Sequence, residues 1–445
     1  MPKKQSVEIK VKNAAKPKRG RRKQPQVVTD IKLLAPQPSG RARARRNRRP
    51  GRRTTKFSEA GEAWMRLYLS PMDADEPGLT GYPDGESSDA VLCDYAKPYN
   101  VAFPSASDVT GTVGLSEEQL NNVFTSDNVS VLFLMLPVAE KHVLLRIYPG
   151  PPPTNIVPVA IDTTADLATM TFPNYYAFSS TGTLYNPASG TFGWLESVIL
   201  VENLANHIPS SSSYRLIARA FTGIYTVPEL ERQGFVSCGQ FQSELVRKPR
   251  TATFETDPVV TAVTGMPYTA PLGDIAPSEL LEAYKHGFQG PCSEGFYLPI
   301  YFSGRENKFI TPISDRIATF DSLSQTLGQD IFVDYPLGVW NVGVVWFESV
   351  SKNFSIKLKT RSVFEMKPLP GGTIQNFAKS PPGFDLAALD AAFTVRRTLR
   401  VGFPSSYNSW GWLGDIAGAL AGLIPIVGPA AGPLVRKGVN WLTGN

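Results

Sequence analysis

The bond in this sequence best equipped for chemistry is Asn408-Ser409. An asparagine followed by a small residue can break its own chain. Its side-chain amide nitrogen attacks its own carbonyl carbon, the next amine departs, and a cyclic imide is left. The bond is stable unless that carbonyl is polarised and the departing nitrogen is protonated. A carboxylic acid kept neutral by burial can supply the proton. As a bare dipeptide Asn-Ser carries little information, and an ordinary loop uses it equally well. It gains weight from the segment that cleavage would set free.

That segment, Ser409 to Asn445, contains one acid (Asp415) and two bases (Arg436, Lys437). Trp410, Leu413, Ile416, Leu420 and Leu423 recur in steps of three and four, with Ile424 adjoining, so they form one stripe on a helix. Trp410 and Trp412 at its head suit a membrane interface. A terminal helix packed on a core has the same spacing. The stretch from Trp410 to Val427 carries Asp415, Pro425 and four glycines, so it is read as lying on a membrane rather than crossing one.

Other chemistry is not signalled. The sequence has no phosphate-binding glycine loop ending in Lys-Ser/Thr, no nucleophile-elbow serine and no paired-cysteine zinc spacing. His142, His207 and His286 are far apart and are read as structural or surface residues. Cys93, Cys238 and Cys292 are too few and too widely spaced for a disulfide framework, which fits a reducing compartment. No secretory h-region opens the chain.

The formal charge of +6 hides a division. Residues 1–56 hold 20 lysines and arginines against two acids, Glu8 and Asp30, a balance of +18, and the remainder stands at −12. Arg41, Arg43, Arg45, Arg46, Arg48, Arg49, Arg52 and Arg53 are packed together near its end. Almost nothing apolar offsets the cost of ordering this arm, so it is expected to be disordered until it meets a polyanion. Arginine neutralises phosphates without reading sequence, which points to RNA or DNA. A nuclear-localisation signal or a solvated tail has a similar composition.

Between arm and tail, the elements that must position the chemistry are strands. Residues 57–68 are expected to form a short helix with Ala60, Trp64, Leu67 and Tyr68 inward. Apolar runs follow at Val129–Leu136, Val143–Tyr148, Ser197–Val201, Tyr214–Val227, Phe296–Phe302, Ile331–Asp334, Val339–Phe347 and Asn353–Met366. Helices do not alternate with them, so an antiparallel sandwich or jelly roll is expected. Small helices are expected at Ser116–Val123 and Pro277–Lys285, and a protruding insertion within about 228–330. A further helix is expected over Phe384–Val401, carrying Phe384, Leu386, Leu389, Ala392, Phe393, Arg396 and Arg397, with Asp385 near its start and Arg396, Arg397 and Arg400 near its end.

In order along the chain, several segments resemble the capsid precursors of the insect nodaviruses. They are the arm from Arg41 to Arg53, the loop Ser70-Pro71-Met72-Asp73 with Pro77-Gly78 and Tyr82-Pro83-Asp84, and the strand segment Tyr214-Arg215-Leu216 with Gly223-Ile224-Tyr225. Phe364-Glu365-Met366-Lys367-Pro368, Ser380-Pro381-Pro382, Tyr407-Asn408-Ser409-Trp410 and Ile424-Pro425 with Gly428-Pro429 complete the series. That family usually cleaves between asparagine and alanine, and Ser409 is a small departure.

The resemblance implies an all-β, eight-stranded antiparallel jelly-roll shell protein with a protruding β-rich insertion. Its expected divisions are an RNA-binding arm (1–56), the shell with its insertions (57–380), an internal helix leading to the cleavage site (381–408) and a membrane-active peptide (409–445). The chain would assemble in the host cytoplasm into an icosahedral virion, of T=3 type, around the viral genomic RNA. Asp73 would be the catalytic acid of one autocatalytic cleavage per subunit at Asn408-Ser409, with Asp75 the alternative because the loop length differs. The freed peptide, carrying Trp410, Trp412, Leu413, Ile416, Leu420 and Leu423, would disrupt the endosomal membrane after a host receptor of unknown identity has been engaged. No cofactor is implied. The family's inter-subunit calcium has no assignable ligand here, since His207 to Ser213 contains no acid. A capsid protein that packages RNA without cleaving, and a cellular pore-forming β-protein, are the rival readings. The second leaves the +18 arm unexplained.

Overall fold

In the computed structural model the described residues are 57–72, 79–110, 115–135, 137, 139, 141–153, 159–161, 171–180, 185–188, 190–201, 204–228, 232–241, 246–247, 268–270, 287–302, 306–310, 340–398 and 402–408. The expected strand at Ile331–Asp334 and helix at Pro277–Lys285 lie outside them.

The strands are β1 (Val91–Ala102), β2 (Val109–Thr110), β3 (Asn128–Met135), β4 (Lys141–Pro149), β5 (Val159–Ile161), β6 (Tyr175–Ser179), β7 (Phe192–Leu200), β8 (Ser211–Tyr225), β9 (Phe235–Phe241), β10 (Val246–Arg247), β11 (Tyr268–Ala270), β12 (Phe288–Pro291), β13 (Phe296–Ile300), β14 (Val342–Ser351) and β15 (Ser355–Pro368). One sheet has the order β1-β15-β8-β13, and the other β12-β9-β14-β3-β4-β7-β6-β2. The sequence β1, β3, β8, β9, β12, β13, β14, β15 gives four strands to each sheet in the interleaved order of a jelly roll. The expected fold is therefore present, with two additions. β4, β7, β6 and β2 widen the second sheet, and β2 joins β6 in parallel. A separate small sheet, β10-β11-β5, pairs pieces of two connections far apart in sequence, one following β4 and one following β9.

Aromatic side chains fill the space between the sheets. Phe221 meets Phe296 edge-on at 5.0 Å, and Phe347 meets Phe133 at 6.0 Å. Each such ring, fully buried, contributes roughly 1.5–3 kcal/mol of transfer free energy. The period of two expected for a half-buried strand is clear in β15, where Ile356 and Leu358 are buried while Lys357 and Lys359 are exposed. It fails in β3, where Val129 to Met135 are all buried. Leu132, Leu134 and Trp346 on the other side of that sheet are as buried as Val131 and Phe133. A second cluster there pairs Arg146 with Glu196 at 2.5 Å, and Trp194 Nε1 donates to the same carboxylate oxygen.

Helix α1 (Glu59–Leu69) begins at Ser58, whose hydroxyl accepts from the Gly61 N–H. Trp64, Leu67 and Tyr68 are buried as expected, whereas Ala60 is half-buried. Helix α2 (Glu117–Val123) is closed by a Ser116–Gln119 capping box. A single turn, α3 (Leu204–His207), precedes β8, and the last described helix is α4 (Leu386–Thr398). Leu389, Ala392 and Phe393 of α4 join the core, but Phe384 and Leu386 do not, being 63% and 54% exposed. The helix starts at Leu386, so Phe384 lies ahead of its periodic face.

One carboxylate roots both long helices. Asp385 accepts from the Ala388 N–H at 2.9 Å as the cap of α4, and from the Ser58 N–H at 2.6 Å at the head of α1. Burial pushes its pKa up, but these hydrogen bonds outweigh burial and hold it below the ordinary 3.8. A group lowered in this way stabilises the fold fully above its unfolded pKa, and the contribution is lost as pH falls through the folded value. Asp385→Ala is therefore expected to cost about 1–2 kcal/mol at neutral pH. The difference from the parent should shrink in thermal unfolding below pH 4, and a pH-independent difference would contradict this role.

Candidate functional site

The residues assigned to the cleavage chemistry fall on either side of the described segments. Asp73, Asp75 and Ser409 lie outside the described residues. So do the arm arginines Arg41 to Arg53 and the tail residues Trp410, Trp412, Leu413, Ile416, Leu420 and Leu423. Asn408 ends a short 3-10 turn, Ser405–Asn408. What can be followed is how the two flanking segments are held.

The first is the end of α1. The Ser70 N–H donates to the Arg66 carbonyl, closing the helix, and the chain turns at Pro71-Met72. The Pro71 carbonyl accepts from Arg361 Nη1 at 2.7 Å. Arg361, on β15, also forks onto Asp94 of β1, with Nε 3.0 and 3.1 Å from the two carboxylate oxygens. This turn is thus tied to the jelly-roll sheet by a charge-assisted contact. Met72 is buried in a small apolar cluster with Ala220, Tyr297 and Phe403.

The second segment supplies Phe403. Its N–H donates to the Tyr297 carbonyl at 3.0 Å, and its carbonyl accepts from the Tyr297 N–H at 2.7 Å. Phe403 thereby pairs the backbone of Tyr297 on the outer edge of β13, and further along Gln240 donates to the Pro299 carbonyl. The Ser405 hydroxyl then donates to the Glu294 carbonyl at 2.5 Å. The residue just before Asp73 and the residue five before Asn408 are consequently in one cluster. No local sequence signal marks Phe403, Tyr297, Arg361 or Ser405 for this role, because the pairing joins chain segments remote from one another.

Desolvation dominates around this edge. Burial pushes the thiols of Cys238 and Cys292 up to about 12, so both are protonated and inert at neutral pH. Cys238 lies against Gly402, where a Cβ would sit 2.6 Å from the sulfur. Elsewhere, His207 Nδ1 is 2.6 Å from the Tyr95 hydroxyl oxygen, and the two rings pack together. Among the described residues, no group of three or more His, Cys, Asp or Glu side chains is arranged to hold a metal ion. No helix of the described residues is long and apolar enough to cross a membrane.

The loop that follows Asp73 and Asp75 is fixed by a buried arginine. Arg215 of β8 donates Nε to Glu365 at 2.8 Å and Nη2 to Asp84 at 3.2 Å, with Nη1 closer still to Asp84. Nη1 also reaches the Asn307 carbonyl at 3.1 Å. The Tyr82 N–H donates to the same Glu365 oxygen at 3.1 Å. Burial raises the Glu365 carboxyl, and the adjacent guanidinium opposes that shift. Burial by itself would lower Arg215, but its two carboxylates keep it charged. Tyr82-Pro83-Asp84 is thus locked onto the strand segment that begins Tyr214-Arg215-Leu216.

No family model matches this sequence, and no curated protein matches it. Among solved structures, T=1 particles derived from infectious bursal virus align with a TM-score of 0.43 at 12% identity, covering 83% of this chain and 98% of that one. A mud crab tombus-like virus aligns with a TM-score of 0.20 at 13% identity, over 56% of this chain and 86% of that one. A marine algae virus of the order Picornavirales gives 0.23 at 11% identity, over 66% and 83%.

Proposed function

We propose that this chain is the shell protein of a small non-enveloped RNA virus, and that it matures by cutting itself once after assembly. The reading rests most heavily on one observation. Met72, the neighbour of Asp73, shares a buried apolar cluster with Phe403, close to Asn408. Met72 and Phe403, the described residues that flank the proposed acid loop and junction in sequence, thereby share one cluster against Tyr297 of β13. The jelly roll and the acid-poor arm of residues 1–56 support the rest of the reading.

The arm neutralises genomic RNA inside an icosahedral shell of many copies, of T=3 type by its resemblance to insect nodavirus capsids. Assembly removes water from the surroundings of Asp73 and raises its pKa, so that the carboxyl is neutral. Its proton goes to the nitrogen of Ser409 as Asn408 Nδ2 bonds to the Asn408 carbonyl carbon. The carbon–nitrogen bond to Ser409 breaks, and the carboxylate takes back the proton that Nδ2 loses. The products are a chain ending in a cyclic imide at residue 408 and a free amine at Ser409. The tail stays within the particle until uptake, then lies on the endosomal membrane by its tryptophan-headed stripe.

Producing the chain in cells and purifying particles tests this directly. Intact particles whose chains divide between Asn408 and Ser409 as they age support the proposal, whereas particles that keep the chain whole leave only an RNA container. The arm has a separate test. Removal of residues 1–56 is expected to leave a chain that assembles but carries a small fraction of the parental RNA, read from particle absorbance. Undiminished RNA in that variant would contradict the arm's role.

A further inference from the structure

The cleavage reading names an acid and a scissile bond but not what holds the bond in place. Between Gly402 and Asn408 the chain is gripped at successive points. Gly402 packs on Cys238 with no room for a side chain. Phe403 is paired on both sides with Tyr297 and is buried. Ser405 then reaches across to the Glu294 carbonyl.

That carbonyl is itself fixed by an unusual piece of backbone. Cys292–Glu294 is a 3-10 turn closed by the Gly295 N–H on the Cys292 carbonyl at 3.0 Å. Gly295 has φ +58, in the left-handed region that favours glycine. A Cβ there would come within 2.3 Å of the Gly223 carbonyl oxygen and 2.9 Å of Ser405 Oγ. The turn between β12 and β13 is therefore packed against both the Gly223 carbonyl and the Ser405 hydroxyl.

Resting on the cleavage reading, we infer that Ser405, held by the Glu294 carbonyl over Gly295, is a positioning residue for the Asn408–Ser409 bond. It touches no reacting atom. It restricts the short segment that carries Asn408, so that the scissile carbonyl meets the acid in a reactive orientation. Self-attack by an asparagine side chain needs close alignment of nitrogen and carbonyl, and displacement by about an ångström is enough to slow such reactions by up to 100-fold. After the break the same clip retains the new terminus on β13, so the tail can leave without loosening the shell.

The test compares parent and Ser405→Ala particles for three readouts: rate of appearance of the Ser409–Asn445 fragment, particle melting temperature, and the pH profile of the rate. The expected result is cleavage slowed on the order of 10- to 100-fold. Yield and melting should be unchanged, and the slowing should be equal at every pH, because the proton donor is untouched. Parental cleavage rates in Ser405→Ala would overturn the inference while leaving the cleavage reading standing. Slowing that comes with a lower melting temperature would overturn it too, assigning Ser405 to general stability. Parent particles that never cleave would overturn both.

Discussion

Asp73→Asn is expected to give particles of normal yield and RNA content whose chains remain whole. The amide is nearly isosteric with the carboxyl, so the shell has no reason to change, but it cannot deliver a proton to the nitrogen of Ser409. Loss of a general acid costs about 10²- to 10⁴-fold in rate. For a reaction that happens once per chain, this separates maturation within the life of a particle from none. Asp73 is varied first because it adjoins Met72 in sequence, and Met72 clusters with Phe403 and Tyr297. The comparison variant is Asp75→Asn. Cleavage lost in Asp75→Asn and kept in Asp73→Asn would move the acid two residues along. Cleavage kept in both would remove the loop from the chemistry. Mass spectrometry of aged particles reads all three outcomes.

Arg215→Met is expected to have the largest effect on stability. It removes the only cation within hydrogen-bond distance of Glu365 among the described contacts, and the Glu365 side chain is 0% exposed. Breaking a buried pair from one side typically costs about 3–5 kcal/mol, because a charge is left without compensation. The released end of Asp84 is 31% exposed and can turn to water, so most of the loss comes from Glu365. The double variant Arg215→Met with Glu365→Gln should recover part of the loss, leaving a neutral amide that can still accept from the Tyr82 N–H. Thermal unfolding of both variants checks this. A double variant as unstable as the single would show that the arginine acts through its packing against Tyr82 and Phe309 instead.

The parts legible in the sequence were those that local physics sets. Alternation at Ile356, Lys357, Leu358 and Lys359 identified a strand with one wet face, and that is how β15 lies. Trp64, Leu67 and Tyr68 marked the buried side of α1. β1 was harder to see, since Pro98 and the polar residues Asp94 and Asn100 interrupt it. Among the described strands it lies at a sheet edge beside β15, where a proline costs no ladder bond on the open side. The helix expected from Phe384 begins instead at Leu386, after the Asp385 cap, and the Phe384 and Leu386 side chains are both exposed. The proposed cleavage chemistry comes from residue types, and its geometry does not. Asn408-Ser409 could be read from residue types, whereas Phe403 beside Met72, or Ser405 on Glu294, depends on pairings that no period or spacing encodes.

The most direct test of the central claim is a high-resolution reconstruction of freshly assembled Asp73→Asn particles, in which the junction is preserved. The account predicts the residue 73 side chain at about hydrogen-bond distance, ~3 Å, from the Asn408–Ser409 peptide, in a site closed to solvent by the meeting of subunits. A side chain at 73 that lies in open solvent, far from an ordered Asn408, would contradict it.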